Sequence, residues 1–376
     1  MGSTKGFVKH SVANIGGLLR HHIPEVIITL LVFAAVGIFM SPFAMVPLFI
    51  LLVLEVSFSF DNAVVNAKVL ERMSPRWQRA FLWIGLPIAV LGMRFVFPIG
   101  IVALTAQIQF GDVVTLAFNN ASSYAEKLHE AHPYITMFGG VYLLLIFLDY
   151  FFEERDVKWL RPIENTLAKV GKLDNVSLFV AGLFVLFGSL LMGGEHMLGL
   201  LIAGVGSIML YIGVGLISNI FDNEDDENAK KPVKFGVAAI GLFVYLEVQD
   251  SAFSFDGVSA AFAVTNSVVL IAAGLGIGAL FVRSMTVQLV KTGTLSEFRY
   301  LEHGAHWAIG VLAICMLIGV GGIDIPDWAV GLIGVVFIIA AAIHSKRENK
   351  KEEALADFEQ LHAGPVQEVG KEKVTV

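Results

Sequence analysis

The sequence has little charge and almost no cysteine. Only 16% of its 376 residues are charged, against about 25% in an average soluble protein. So few charges cannot cover a soluble surface, which excludes an ordinary cytosolic enzyme and a disordered chain. The single cysteine, Cys315, lies in an apolar run, which excludes an intramolecular disulfide and a thiolate metal cluster. The net charge of −7 lacks the basic excess typical of nucleic-acid-binding proteins.

Long apolar runs account for most of the chain, and hydrophobic residues make up 56% of it. A helix that crosses a bilayer needs about 20 mostly apolar residues. The candidate spans are 24–40, 43–67, 81–105, 134–152, 176–192, 196–218, 235–264, 267–290, 304–321 and 327–344. The sequence therefore predicts an all-α, polytopic, lipid-embedded protein with about ten transmembrane helices and no enzymatic activity.

Lys and Arg residues alternate in density from one connection to the next. They are frequent after the second, fourth, sixth, eighth and tenth spans and rare in the opposite loops. Because basic loops stay in the cytoplasm, both termini are predicted to be cytoplasmic, in a cell membrane and most simply a bacterial inner membrane. The predicted segments are an N-terminal segment 1–23, a first transmembrane half 24–218, a cytoplasmic linker 219–234, a second transmembrane half 235–344 and a charged cytoplasmic tail 345–376, which offers a docking place for a protein partner.

Two of the spans carry a related motif. The motif reads Glu55-Val-Ser-Phe-Ser-Phe-Asp61-Asn62 in the helix at 43–67 and Asp250-Ser-Ala-Phe-Ser-Phe-Asp256-Gly257 in the helix at 235–264. Equivalent helices are five spans apart, and because five is odd, like segments lie inverted in the membrane. Inverted repeats are typical of secondary transporters, whose sites lie near mid-membrane where the repeats meet.

Five carboxylates lie inside these two apolar spans, namely Glu55, Asp61, Glu247, Asp250 and Asp256. Each costs about 2.5–3.5 kcal/mol to insert at the bilayer centre. Arg94 and Arg283 in the following spans are the candidate charge partners, but two arginines cannot neutralise five carboxylates. The excess negative charge favours a bound divalent cation or titratable protons, although any single carboxylate could instead be structural.

Neighbouring oxygen atoms complete a predicted metal site. Asn62 and Ser254 supply a carboxamide and a hydroxyl, ligands that suit hard cations such as Mn²⁺ and Ca²⁺. Helix interruptions at Asp61-Asn62 and Asp256-Gly257 would free backbone carbonyls as further ligands. His303 and His306 share a helix face and form a weaker metal candidate. The 106–133 loop is expected to contain a small amphipathic helix around 124–132.

At these residues the chain resembles the TerC family of integral membrane proteins, which is associated with tellurium resistance and lies within the LysE transporter superfamily. The resemblance rests on residues 55–62 with the following Ala-Val-Val, on 250–263 with Thr265-Asn266, and on Tyr300-Leu301-Glu302-His303-Gly304. It implies a metal-ion exporter, often linked to manganese, built from duplicated three-helix units. The resemblance implies a role in metal binding for Glu55, Asp61, Asn62, Asp250 and Asp256.

The chain departs from the family pattern in two ways. Its second motif reads Asp256-Gly257-Val-Ser where many members have Asp-Ser-Ile-Pro, and its ten predicted spans exceed those of the compact members. These departures place it in a divergent branch. The expected function is export of Mn²⁺, or of Ca²⁺, with proton exchange and no prosthetic group. Two alternatives stay open: an exporter of an amino acid or other small solute, whose carboxylate Arg94 would bind, and a non-transporting scaffold in a tellurite or envelope-stress complex.

Overall fold

The structure is a computed structural model that describes residues 23–220, 238–323 and 325–362. Over these residues it is helical and contains no strand. In chain order the helices are α1 Ile23–Phe39, α2 Met45–Phe58, α3 Phe60–Leu70, α4 Pro75–Trp83, α5 Phe97–Ala106, α6 Phe110–Asn119, α7 Ala121–Phe152, α8 Arg161–Val170, α9 Val176–Met192, α10 Met197–Ile220, α11 Ala238–Val264, α12 Val268–Thr292, α13 Leu301–Val320 and α14 Asp327–His362. A π-helical segment, Ile88–Val96, joins α4 to α5 through the short turn Gly85–Pro87.

Six helical stretches in the described residues are long and apolar enough to cross a membrane. They are Pro75–Ala106, Ala121–Phe152, Gly194–Ile217, Val268–Thr292, Leu301–Val320 and Ala329–Glu352. The bent pair α2 and α3 adds a seventh, and α1 and α9 are shorter apolar helices. The all-α, polytopic membrane class is therefore confirmed. The described residues of each predicted span are largely helical, the second span being divided between α2 and α3, whereas the count of ten crossings stays a prediction.

Two helices extend beyond the spans expected from the sequence. The fourth predicted span begins at Ala121 rather than at 134, because α7 runs without interruption through Pro133. Asn120 caps this helix by accepting a hydrogen bond from the backbone N–H of Ser123. Pro133 lacks a backbone N–H, so it removes only one N–H donor from the helix. The last helix continues past 344 to His362, so the start of the charged tail is helical. Residues 1–22, 221–237 and 363–376 of the predicted terminal and linker segments lie outside the described residues.

Small residues let the central helices pack closely. A side chain at Gly310 of α13 would collide with the Phe147 ring of α7, and one at Gly274 of α12 would collide with Leu51 of α2. Helices in membranes associate largely through such close contacts, because burying apolar groups gives no gain where the solvent is lipid. The glycine-rich stretch of α12 thus serves helix packing.

The two motif helices pass each other in opposite directions. Asn66 of α3 contacts Asp250 of α11, while Gly257, further along α11, lies beside Glu55 at the end of α2. Each motif helix also packs on the central helix of the other half, α3 on α13 and α11 on α7. This antiparallel and reciprocal packing is what an inverted repeat requires.

Candidate ion-binding site

A helix break shapes a small cavity in the first half of the protein. The chain bends by 51° between the stretches Pro42–Ser57 and Phe60–Leu70. The break at Ser59 places Asp61 in the first turn of α3, where free backbone N–H groups favour negative charge. The adjoining cavity has a volume of about 60 Å³ and extends between α11, α13 and α14. That volume holds a few water molecules or one cation with part of its hydration.

Oxygen atoms of both motifs line this cavity. The polar lining residues are Glu55, Ser57, Ser59, Asp61, Asn62 and Ser254. The side chain of Asp61 is buried, and none of the described Lys, Arg or His residues forms an ion pair with it. The buried Oδ1 atom of Asn62 has no hydrogen-bond partner. An unpaired acceptor at such a depth is normally satisfied by water or by an ion.

Glu55 is paired with an arginine from the π-helical segment. The Nη2 atom of Arg94 donates to Oε1 of Glu55, and its Nη1 atom donates to the backbone oxygen of Ala89 at 3.0 Å. Both side chains are buried. π-helical turns are rare and frequently occur at functional sites. Here the widened turn lets the arginine bond a carbonyl five residues earlier while its other nitrogen reaches the motif carboxylate.

Arg283 of α12 bridges two carboxylates of α11. Its Nη1 and Nη2 atoms donate to the two carboxylate oxygens of Glu247 at 3.0 and 2.9 Å, and Nη2 also donates to Asp250 at 2.5 Å. Nη1 reaches the backbone oxygen of Phe81 at 2.7 Å as well, and the guanidinium lies over the Phe81 ring. Gly85 leaves the necessary room, because a Cβ atom there would collide with both Arg283 and Glu247.

The structure thus divides the predicted metal ligands into two environments. Glu55, Glu247 and Asp250 are held by arginines, whereas Asp61 and Asn62 face the cavity without a cationic partner in the described chain. Across the described residues, no three His, Cys, Asp or Glu side chains are grouped so as to hold a metal ion. The side chain of Asp256 lies outside the described residues.

The expected interruption of the second motif helix does not occur. α11 is continuous through Gly257, whereas the first motif helix breaks two residues before Asp61. Hydroxyls within α11 bond back to its own carbonyls, from Ser251 to Glu247 and from Ser254 to Asp250 at 2.6 and 3.1 Å. A Cβ atom at Gly257 would lie 3.5 Å from the Glu55 carboxylate, which is an ordinary contact distance.

A second, larger opening was not expected from the sequence. A cleft of about 840 Å³ lies where the C-terminal ends of α3 and α7 meet the start of α13. Its lining includes the side chains of Lys68, Arg72, Asp149, Tyr245, Gln249 and His306. Near its floor the Nδ2 atom of Asn66 donates to Oδ1 of Asp250 at 2.8 Å. Asn66 is four residues after Asn62, and that helical spacing was the available signal.

The two histidines lie at the edge of this region and serve different contacts. His306 stacks on Tyr150, with ring centroids 3.5 Å apart, and its Nδ1 atom is 2.8 Å from the backbone oxygen of Glu302. His303 lies 3.3 Å from the carboxylate of Glu164 on α8. They do not share a ligand position, which leaves the oxygen-lined cavity as the stronger candidate.

Glu164 fastens the amphipathic helix α8 to the helical bundle. Its carboxylate accepts hydrogen bonds from the backbone N–H groups of Trp159 and Leu160 at 3.0 Å and from the indole of Trp307 at 3.3 Å. Burial raises the pKa of this carboxyl, but His303, the Leu160 amide and the Trp307 indole together lower it more. The pKa of Glu164 therefore lies below its ordinary value.

Comparison with known proteins gives one result. The model of a family described as "Protein of unknown function (DUF475)" matches residues 60–352. No curated protein and no solved structure matches the chain. The matched region begins at the helix break, so it contains Asp61, Asn62 and the second motif but not Glu55. Because the match covers well over half of the chain, the protein belongs to the DUF475 family.

Proposed function

We propose that this protein is a secondary transporter that exports a divalent cation, with Asp61 as its principal ion-binding carboxylate. The observation that carries the proposal is the cavity at the helix break. It brings an acidic side chain without a cationic partner in the described chain next to an unpaired amide oxygen and three hydroxyl-bearing residues. A buried carboxylate inside a membrane bundle is costly unless a cation or a proton compensates it.

The donor set favours a hard cation. Carboxylate, carboxamide and hydroxyl oxygens suit Mn²⁺ and Ca²⁺, whereas soft metals prefer thiolate and imidazole suits Zn²⁺ and Cu²⁺. The resemblance to the TerC family favours Mn²⁺ over Ca²⁺ and export over uptake. Ligation requires a deprotonated carboxylate, so protons compete with the metal at the same oxygen atoms. Exchange of the cation for protons follows from that competition.

The arginine pairs reduce the number of carboxylates that can bind a cation in this conformation. Cation binding by Glu55, Glu247 or Asp250 requires a guanidinium to move away, because each of these carboxylates is already paired in this conformation. The pairs also weigh against the amino-acid exporter, since Arg94 is bonded to Glu55 and to Ala89 and does not present a free guanidinium to a substrate carboxylate. A scaffold that binds no ion does not account for the unpaired oxygen of Asn62 beside the buried carboxylate of Asp61, because buried acceptors normally have a partner.

The test compares Asp61→Asn with wild type in two assays. In detergent, millimolar Mn²⁺ should raise the unfolding temperature of the wild type and leave that of Asp61→Asn unchanged. In proteoliposomes, Mn²⁺ flux should fall at least tenfold in the variant. Asp112→Asn, on the exposed surface of α6, is the matched control and should behave as wild type in both assays. Wild-type flux in Asp61→Asn would contradict the assignment.

A further inference from the structure

Helices α3 and α11 contribute lining residues to both the cleft and the cavity. The cleft includes Gln249 of α11 in its lining, and the cavity includes Asn62 of α3. Asn66 lies between them, fully buried, and contacts Asp250, the residue after Gln249. This contact between α3 and α11 therefore lies next to residues that line each of the two spaces.

Three amide oxygens along this line lack a partner. They are Oδ1 of Asn62, Oδ1 of Asn66 and Oε1 of Gln249, and each of these side chains is at most 5% exposed. The orientation of the Asn66 amide follows from its neighbour. A carboxylate only accepts hydrogen bonds, so the NH₂ group of Asn66 must face Asp250 and its oxygen must face away. An amide oxygen can be satisfied only by a donor, such as water, or by a cation.

The residues that carry these oxygens lie between the lining of the cavity and the lining of the cleft. Asn62 and Asn66 are four residues apart on α3, so they lie on one helix face with their Cβ atoms about 5–6 Å apart. The Asn66–Asp250 contact brings α3 against α11 where Gln249 reaches the cleft. The residues that carry the unpaired oxygens thus lie in order, with Asn62 at the cavity, Asn66 at the contact between the helices and Gln249 at the cleft.

We propose that Asn66 and Gln249 form a second cation-binding station at the floor of the cleft, which passes the cation between the cleft and Asp61. The hydrogen bond between Asn66 and Asp250 closes this path in the present conformation. This inference rests on the proposed function and adds a route and a second binding position to it. Neutral amide oxygens hold a divalent cation less tightly than a carboxylate does, and a transit position requires binding weak enough for the ion to leave.

The test separates binding at Asp61 from passage through the second station. Gln249→Leu removes the oxygen at nearly the same side-chain size. We expect Mn²⁺ flux in proteoliposomes to fall at least tenfold, while Mn²⁺ still raises the unfolding temperature in detergent, because the Asp61 site remains. The retained stabilisation also shows that the variant is folded. Ser207→Ala, which removes a buried and equally unpaired oxygen of α10 that lines neither space, should transport as wild type.

A second variant tests the same position by adding charge. Gln249→Glu should lower the Mn²⁺ concentration that half-saturates flux by at least threefold, because a carboxylate binds the cation more tightly than an amide. Wild-type flux and affinity in both Gln249 variants would overturn the second station and leave the proposed function standing. Loss of flux and of Mn²⁺ stabilisation in both variants would overturn it too, by showing a structural role. Absence of Mn²⁺ binding and flux in the wild type would instead refute the proposed function.

Discussion

At the scale of single residues, the feature that most constrains this protein is the burial of arginine among carboxylates. Arg283 is almost fully buried, and its guanidinium holds Glu247, Asp250 and a backbone carbonyl together. Removing one partner of a buried ion pair is far more damaging than exchanging the whole group for apolar residues, because the remaining charge stays buried without compensation. Glu247 and Asp250 therefore depend on this side chain for their charge compensation.

We expect Arg283→Met to lower the free energy of unfolding by about 3–5 kcal/mol, since it leaves Glu247 and Asp250 without a cation. Thermal or denaturant unfolding in detergent measures the change. The control is Arg299→Met, which breaks an ion pair of 2.5 Å with Glu352 between partly exposed side chains. A surface pair of that kind contributes about 0–1 kcal/mol. Equal stability of the two variants would show that the α11 carboxylates need no buried arginine.

The candidate site was only partly predictable from its residues. The sequence identified the carboxylates, Asn62 and both arginines, because charged residues inside apolar runs are conspicuous. It could not assign each arginine to a carboxylate, since pairing depends on which helices are neighbours and on their rotation. The place of Asn66 at the contact between the motif helices was not predicted, because its helical spacing from Asn62 does not reveal its partner on α11.

At the scale of elements, the ionisable side chain of Glu164 links α8 to the bundle. The carboxylate of Glu164 accepts bonds at the start of its own helix and from Trp307 of α13, and it lies beside His303. Because the pKa of Glu164 is lower in the folded protein than its ordinary value, its ionised form stabilises the fold. This contribution is present above the ordinary glutamate pKa and is lost as the pH falls through the lowered value.

The corresponding prediction concerns acid sensitivity. Between about pH 6 and pH 3, the wild type should lose more thermal stability than Glu164→Gln, because the variant has no carboxylate to protonate at this position. Glu154→Gln is the control: it removes a carboxylate that is 71% exposed and pairs with Lys172 at 3.6 Å, and it should follow the wild type. A pH profile of Glu164→Gln that matches the wild type would show that Glu164 does not link α8 to acid stability. Unfolding temperatures across the pH range provide the measurement.

The two motif helices have similar sequences but differ in whether the helix is broken. Both contain Phe-Ser-Phe-Asp, and interruptions were expected in both. Only the first is broken, at Ser59, while the second continues through Gly257. A glycine inside a helix costs only about 1 kcal/mol, so it permits a break without requiring one. At Gly257 the continuous helix lies beside the Glu55 carboxylate.

At the scale of the whole molecule, three helix ends and the extension of α14 meet at one polar end. Glu302 at the start of α13 lies 3.7 Å from Lys68 of α3 and 4.0 Å from Arg155 after α7. The extension of α14 joins them, because Asn349 donates to the backbone oxygen of Glu297 at 2.8 Å. These are segments that follow the second, fourth, eighth and tenth predicted spans. Their shared position agrees with the alternation of basic residues in the sequence.

We predict that this polar end faces the cytoplasm. In a Cys315→Ala background, Lys172→Cys and Lys351→Cys should react with a membrane-impermeant thiol reagent only after the membrane is opened. Asn119→Cys, on α6 at the opposite end, should react in intact cells. All three positions are exposed in the structure. Labelling of Lys172→Cys from outside would reverse the orientation, and labelling of Lys172→Cys and Lys351→Cys from different sides would contradict the alternating topology.

The sequence by itself determined the membrane class and the helical content, because apolar runs of about 20 residues match the thickness of a bilayer. It also located the acidic motif helices. Only the tertiary structure decided which carboxylates are paired with arginines, which motif helix breaks, and where the cavity and the cleft lie. Those features depend on contacts between residues far apart in the chain, such as Asn66 with Asp250 and Glu55 with Arg94. Local sequence patterns do not encode the distances between such residues.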